Sequence, residues 1–123
     1  MGFKDELPLE ERKAEAERII SEFKDRLPVI LEHADVNKHK ASSNVNQIDN
    51  LSKRKYLVPK EITVGQFIWI VRRRLSLPPE KAIFFLIQNT IPSTSAVMKQ
   101  VYDDLKDEDG FLYVNYKNEN TFG

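Results

Sequence analysis

Lys53-Arg54-Lys55-Tyr56-Leu57-Val58-Pro59-Lys60-Glu61-Ile62-Thr63-Val64-Gly65-Gln66-Phe67-Ile68-Trp69-Ile70-Val71 is a strand running into a helix. Lys55 to Val58 groups aromatic and branched residues of the kind that suit a pleated surface. Pro59 stops the run because it has no N–H to give to a ladder. Thr63 can cap the next element, and Val64, Phe67, Ile68, Val71 and Leu75 recur at helical spacing. The pattern therefore predicts a helix over 63–75 with one buried stripe. Ser76-Leu77-Pro78-Pro79 breaks it.

Working toward the N-terminus, Val29-Ile30-Leu31 is a compact apolar run that predicts another strand. Before it, Leu9 to Lys24 reads as a helix with Ala16, Ile19, Ile20 and Phe23 as its stripe, continued by Leu27. Pro8 suits its start and Pro28 its end. Phe3 to Glu6 predicts a small separate helix. His33 to Ser52 is polar, with Asn37, Ser42, Ser43, Asn44, Asn46 and Asn50, and has no helical stripe. The strands flanking it read as a wide hairpin with a long polar loop at about 35–52.

Toward the C-terminus, Ala82-Ile83-Phe84-Phe85-Leu86-Ile87 is apolar on both faces and predicts a central strand. A fourth helix is predicted from about Ser93–Ser95, with Met98, Val101, Tyr102 and Leu105 as its stripe. Asp109-Gly110 signals a turn, and Phe111 to Tyr116 is an aromatic last strand. Two early strands, a long helix across them and two later strands give an α+β fold on the β-grasp plan: a four-stranded mixed sheet with helices packed on it, plus two N-terminal helices. The predicted organisation is an N-terminal helical extension over 1–27, a core over 28–116 and a flexible tail over 117–123.

A chain of 123 residues, 41% hydrophobic, can build one packed core. Nineteen basic residues balance nineteen acidic ones, which disfavours a globally basic nucleic-acid binder. Locally the balance fails: Lys38 to Lys81 holds ten basic residues against Asp49, Glu61 and Glu80, and Asp103 to Asp109 holds five acids against Lys106. Such asymmetry suits a surface that sorts partners by charge. The longest apolar run, Ala82–Ile87, is far too short for a bilayer span. No apolar stretch follows the N-terminus, so no secretory signal is expected. Glu6 stands where a myristoylation motif at Gly2 wants Ser or Thr.

Little in the chain suggests catalysis of its own. There is no Cys, hence no disulfide, no thiol nucleophile and no Cys-ligated metal. His33 and His39 are too few for a metal site, and no glycine-rich phosphate loop exists. No cofactor is expected, and the chain is not expected to be an enzyme. Lys53-Arg54-Lys55 is one short basic run without flanking stacking residues, so it reads as the edge of a sheet rather than a nucleic-acid patch. An open strand edge can accept an extended peptide, and edge lysines discourage self-association. Arg72, Arg73 and Arg74 are consecutive on a helix, so they fan apart and cannot all face one ligand. Phe84 and Leu86 share one side of their strand, with Phe85 on the other.

The stretch Lys53–Pro59 with Ile62–Phe67 resembles the autophagy-related ubiquitin-like modifiers, relatives of GABA-receptor-associated protein and of the microtubule-associated light chains. Asp25-Arg26-Leu27-Pro28-Val29-Ile30, Leu77-Pro78-Pro79-Glu80-Lys81-Ala82-Ile83-Phe84-Phe85, Asp109-Gly110-Phe111-Leu112-Tyr113-Val114 and the ending Glu119-Asn120-Thr121-Phe122-Gly123 extend the likeness over nearly the whole chain. The connection over 33–52 is several residues longer than the family pattern. The chain stops at Gly123, with nothing for the family's processing protease to remove, as expected of a mature form, a trimmed chain or a member made without an extension.

The resemblance implies a ubiquitin-like modifier conjugated through Gly123 to phosphatidylethanolamine. It implies activating and conjugating enzymes and a processing and delipidating cysteine protease as partners. It also implies a cytoplasmic monomer that moves to autophagosomal or vacuolar membranes once lipidated, with no nucleic-acid partner. Receptors and machinery would dock through an aromatic-x-x-aliphatic peptide. Carried over by position, the aromatic pocket would use Glu15, Ile19, Pro28, Lys55, Leu57 and Phe111. The aliphatic pocket would use Tyr56, Val58, Pro59, Ile62, Phe67 and Ile70. Arg26 and Arg74 would meet acids flanking the peptide, with Tyr56 expected to be more exposed than Leu57. Phe84 and Leu86 would form a membrane or second docking face, although Leu86 stands where an aromatic is expected. The alternative is an unconjugated adaptor in vesicle trafficking or microtubule association that uses the same groove.

Overall fold

The computed structural model describes residues 2–34 and 54–118. In chain order its elements are α1 (Phe3–Glu6), α2 (Leu9–Glu22), β1 (Arg26–His33), β2 (Lys55–Pro59), α3 (Val64–Arg74), β3 (Ile83–Leu86), α4 (Met98–Leu105) and β4 (Leu112–Asn118). The sheet order is β2-β1-β4-β3. β1 runs antiparallel to β2 and parallel to β4, and β3 runs antiparallel to β4. This is the mixed four-stranded sheet with two N-terminal helices that the pattern predicts. The loop expected at about 35–52 and the tail from 119, Gly123 included, lie outside the described residues.

One face of the sheet buries the larger core. Leu27, Val29 and Leu31 of β1, Tyr56 and Val58 of β2, Phe85 of β3 and Val114 of β4 meet Val64, Phe67 and Val71 of α3 and Met98, Val101 and Tyr102 of α4. The start of α3 is set by a reciprocal cap. The Gln66 N–H donates to Thr63 Oγ1 at 3.2 Å, and the Thr63 N–H donates to Gln66 Oε1 at 2.9 Å. Two otherwise unpaired donors are satisfied there.

The other face carries a smaller cluster of Phe3, Ala16, Ile19, Ile30 and Phe111. α1 is too short to be stable alone and holds only by docking. Phe3 packs edge-on against Phe111 with ring centroids 5.3 Å apart. The Phe3 N–H donates to Glu32 Oε2 at 2.7 Å, and Arg54 bridges Glu6 at 2.8 Å and Glu32 at 3.3 Å.

Several expectations shift. The strand over 83–86 is an edge, not the centre, because β4 takes the place beside β1. The two-faced apolar strand is β1, whose Leu27–Leu31 are all buried. Pro28 does not end α2, which stops at Glu22 with the Phe23 N–H bonded to Ile19. Pro28 lies inside β1 at a point where only β2 is alongside, since pairing with β4 begins at Val29. The missing N–H therefore falls at a ladder end, where proline is tolerated. Ala16 and Ile19 are buried, but Ile20 and Phe23 are exposed, so the α2 stripe is narrower than its sequence suggests. α4 begins at Met98 because Ser93 and Ser95 close a turn on each other before it.

A single buried carboxylate ties α2 to the sheet. Asp109 Oδ2 accepts from Arg12 Nη1 at 2.7 Å and from the Tyr113 hydroxyl at 2.6 Å, while Oδ1 accepts from the Phe111 N–H at 2.8 Å. The burial of Tyr113, with its hydrogen bond to Asp109, pushes the phenol well above its ordinary range, so it stays a donor. Removing the acceptor strands three donors, one of them charged. Asp109→Ala is expected to lower stability by about 3–5 kcal/mol, read as a drop in the urea midpoint at unchanged slope. Asp109→Asn, which keeps an acceptor and the shape, is expected to lose less.

Candidate functional site

β2 pairs with β1 along one side, and no described strand lies along the other. Its alternation sends neighbouring side chains to opposite faces. Lys55 and Leu57 lie on the α2 side, Tyr56 and Val58 on the α3 side. The open edge is therefore flanked by two different surfaces.

On the α2 side, Lys55 Nζ meets Glu15 Oε2 at 2.7 Å, spanning the gap between strand and helix. Arg18 meets the same carboxylate at 2.9 Å. Hydrogen bonds from Arg18 and then Lys55 hold the Glu15 carboxyl down at about 2, against burial that pulls the other way. Ile19 and Phe111 lie beneath, both fully buried in the smaller cluster. Pro28 is buried opposite Leu57 in the β1–β2 register, and Leu57 is 37% exposed. The six residues assigned to an aromatic pocket thus come from α2, β1, β2 and the residue just before β4, all on the α2 side of the sheet.

On the α3 side, Tyr56 stacks edge-on against Phe67 with centroids 5.6 Å apart. Val58 and Phe67 are core residues, Pro59 and Ile62 are half-buried, and Ile70 is 37% exposed. Tyr56 is only 4% exposed, so the expectation that it is more exposed than Leu57 is wrong. The reason is alternation: Tyr56 faces the larger core and Leu57 does not. Burial pushes the Tyr56 hydroxyl up, and Arg74 pulls it partly back.

The charged residues take separate roles. Arg74 holds its guanidinium 4.6 Å from the Tyr56 ring centroid, at the rim of the α3-side surface. Arg26 donates to the Leu57 carbonyl at 3.4 Å. Arg73 stacks 4.8 Å over Trp69, and Arg72 donates to the carbonyls of Pro78, Pro79 and Lys81. The three arginines fan as expected. The Arg54–Lys55 part of the basic run is largely spent internally, on Glu6, Glu32 and Glu15. Phe84 and Leu86 are half-buried on the side of β3 away from Phe85, as alternation requires.

Sequence reasoning placed Ala16 in the α2 stripe but did not find the tie that holds α2 in place, Arg12 with Asp109 and Ala16 against Gly110. The Asp-Gly pair was legible as a turn. Its reach to α2 was not, because Arg12 and Asp109 are 97 residues apart in the chain.

A family model described as "Autophagy protein Atg8 ubiquitin like" matches residues 11–123. The chain is 54% identical to Autophagy-related protein 8 of Saccharomyces cerevisiae (strain YJM789) over 121 residues, which is 98% of this chain and 96% of that protein. It is 53% identical to Autophagy-related protein 8 of Candida glabrata, over 99% of this chain and 96% of the relative. Among solved structures, the crystal structure of Trypanosoma brucei ATG8 superposes with a TM-score of 0.81 at 35% identity, covering 97% of this chain and 95% of the other. Plasmodium falciparum Atg8 in complex with a P. falciparum Atg3 peptide gives a TM-score of 0.74 at 31% identity, covering 94% of each chain.

The depressed Glu15 carboxyl carries a pH signature. A group lowered from its ordinary 4.5 to about 2 adds stability above pH 4.5, and that stability is lost as pH falls through 2. Comparing urea midpoints of the parent and Glu15→Gln between pH 2 and 8 is expected to show a gap. It should be constant above about pH 5, roughly 1 kcal/mol after solvent screening, and should close toward pH 2.

Proposed function

From the premise that this chain belongs to the Atg8 family of ubiquitin-like autophagy proteins, a family of modifiers rather than catalysts, we propose that it is conjugated through Gly123 to phosphatidylethanolamine and then displays a groove for extended peptides. The observation that carries this reading is the open edge of β2, with exposed Leu57 on its α2 side and exposed Ile70 on its α3 side. An incoming strand pairs with that edge and places alternate side chains on the two surfaces. An aromatic anchor enters the space bounded by Glu15, Ile19, Pro28, Lys55, Leu57 and Phe111. An aliphatic anchor meets Tyr56, Val58, Pro59, Ile62, Phe67 and Ile70. Arg26 and Arg74 stand at the rim for acids flanking the anchors. Phe84 and Leu86 offer a second face toward membrane or a further partner.

In the conjugation step a nucleoside triphosphate used by the activating enzyme adenylates the Gly123 carboxylate with loss of pyrophosphate, an enzyme thiol displaces the nucleoside monophosphate to take the acyl group as a thioester, and the lipid amine then displaces the thiol. An amide forms and the thiol is released. The catalytic groups belong to activating and conjugating enzymes, and a cysteine protease reverses the link. The Atg3 peptide bound to the P. falciparum relative supports a conjugating-enzyme partner for this chain. Autophagosomal or vacuolar membrane is the location that follows once the lipid is attached.

Two measurements test the two halves. With activating and conjugating enzymes and phosphatidylethanolamine vesicles, Gly123→Ala is expected to lose most of the lipid-linked product, because a Cβ enters a tail that must thread confined sites. Undiminished product would overturn the conjugation role and leave an unconjugated adaptor. For the groove, Leu57→Ala is expected to weaken an aromatic-x-x-aliphatic peptide about tenfold or more. Arg74→Ala is expected to cost about 0–1 kcal/mol, and less at high salt. Calorimetry at two salt concentrations decides. A larger loss for Arg74→Ala would make the groove chiefly electrostatic and the pocket assignment wrong.

A further inference from the structure

The turn at Asp107–Gly110 is held from three sides. Its own backbone closes through the Gly110 N–H to the Asp107 carbonyl at 2.9 Å and the Asp107 N–H to the Phe111 carbonyl at 2.8 Å. The Tyr102 hydroxyl of α4 donates to the Gly110 carbonyl. Asp109 fixes the Phe111 N–H and the Tyr113 hydroxyl. Gly110 has φ +94°, a conformation that a Cβ disfavours. This turn is therefore a rigid stop.

α2 rests directly on it. A Cβ placed on Gly110 would lie 2.9 Å from the Ala16 Cβ, closer than side chains pack. One turn earlier, Arg12 reaches Asp109 at 2.7 Å. Arg12, Ala16 and Ile19 follow at i, i+4 and i+7, so they lie on one helix face. Glu15, one turn before Ile19, reaches across to Lys55 at 2.7 Å, and Ile19 lies beneath in the smaller cluster with Ala16 and Phe111, so the two make the helix-side wall of the proposed pocket. Any change in the height of Ala16 over the turn is passed along a rigid helix to that wall.

We infer that the Ala16–Gly110 contact, with the Arg12–Asp109 tie, sets the width of the α2-side pocket and thereby which aromatic anchor it accepts. Ala16, Arg12, Asp109 and Gly110 are positioning residues, acting through Ile19, Glu15 and Phe111. The inference rests on the peptide-groove reading above. A larger side chain at 16 cannot displace the turn, which is braced by Tyr102 and its own hydrogen bonds, so α2 moves outward. A wider slot favours a larger ring, since fit in an apolar pocket discriminates by the atoms that fill it.

The test uses the full chain and three peptides identical except for Trp, Tyr or Phe at the aromatic position, with affinities from calorimetry and a melting curve for each variant. Ala16→Val is expected to shift the Trp-to-Phe affinity ratio toward Trp by about threefold or more, and Ala16→Ser to shift it less in the same direction. Ala16→Ser decides where Ala16→Val fails to fold. Ile83→Ala, a core truncation in β3 at the sheet edge opposite β2, is the control for mere destabilisation and is expected to leave the ratio at its parent value. A ratio unmoved in folded Ala16 variants, or moved equally by Ile83→Ala, overturns the inference while the groove stands. A parent chain that binds none of the three peptides overturns the groove reading, and this inference with it.

Discussion

Everything in this molecule is arranged around the burial of β1 on both faces. Leu27, Val29 and Leu31 point into the larger core and Ile30 into the smaller one. A strand that is apolar on both sides demands a layer over each. α3 and α4 supply one, and α1 and α2 the other. β2 inherits the same two-sidedness because it is registered against β1 residue by residue, Val29 with Tyr56 and Pro28 with Leu57. The sheet edge therefore separates two cores, and a groove along that edge has a different surface on either hand. In the proposed groove the difference between the two anchor surfaces follows from this layering.

The second layer is the weaker one, and polar groups do much of its fastening. Among the described residues its apolar cluster has five buried members. Asp109 compensates by accepting from a guanidinium, a phenol and an amide at once. Charge-assisted bonds to a fully buried carboxylate fix geometry as well as energy. Arg54 does the same for α1 through Glu6 and Glu32. These pairs also alter the electrostatic picture. The basic middle of the chain looks like a patch when summed, yet Arg54 and Lys55 are matched by acids from α1, β1 and α2. Charge at the rim of the proposed site, such as that of Arg26 and Arg74, steers a partner more than it binds.

How much of this was legible depended on the range of the interaction. Local signals read well: the strand at Lys55–Pro59, the Thr63 cap, the stripe of α3, the turn at Asp109-Gly110 and the alternation of Phe84, Phe85 and Leu86. The strand order is where local reading fails. Ile83–Leu86 and Leu27–Leu31 are both apolar runs, and nothing within either says which has neighbours on both sides; the parallel pairing of β1 with β4 decides it. Pro28 misled for the same reason, since a proline reads as a helix end until the ladder shows where its N–H is not needed. The pocket residues came from the family resemblance rather than from chemistry visible in the chain. Their exposures followed from the fold, which is why Tyr56 and Leu57 exchanged the roles expected of them.

Strand addition at an open edge replaces hydrogen bonds to water with hydrogen bonds to a peptide, so it contributes register more than affinity. Affinity then rests on the two anchors. On the proposed reading the aromatic anchor enters a space whose walls belong to different layers: Ile19 and Glu15 ride on α2, while Lys55 and Leu57 ride on the sheet. The aliphatic side is not built this way, because Tyr56, Val58 and Phe67 belong to one continuous core. Its shape is as fixed as the fold itself. On our inference the aromatic side is set by how a single helix sits on a single turn, through Ala16 on Gly110 and Arg12 on Asp109. Small substitutions at that seat would then alter the pocket without touching the sheet or the larger core. A fold of this design can keep its aliphatic anchor constant and still vary the aromatic one it prefers.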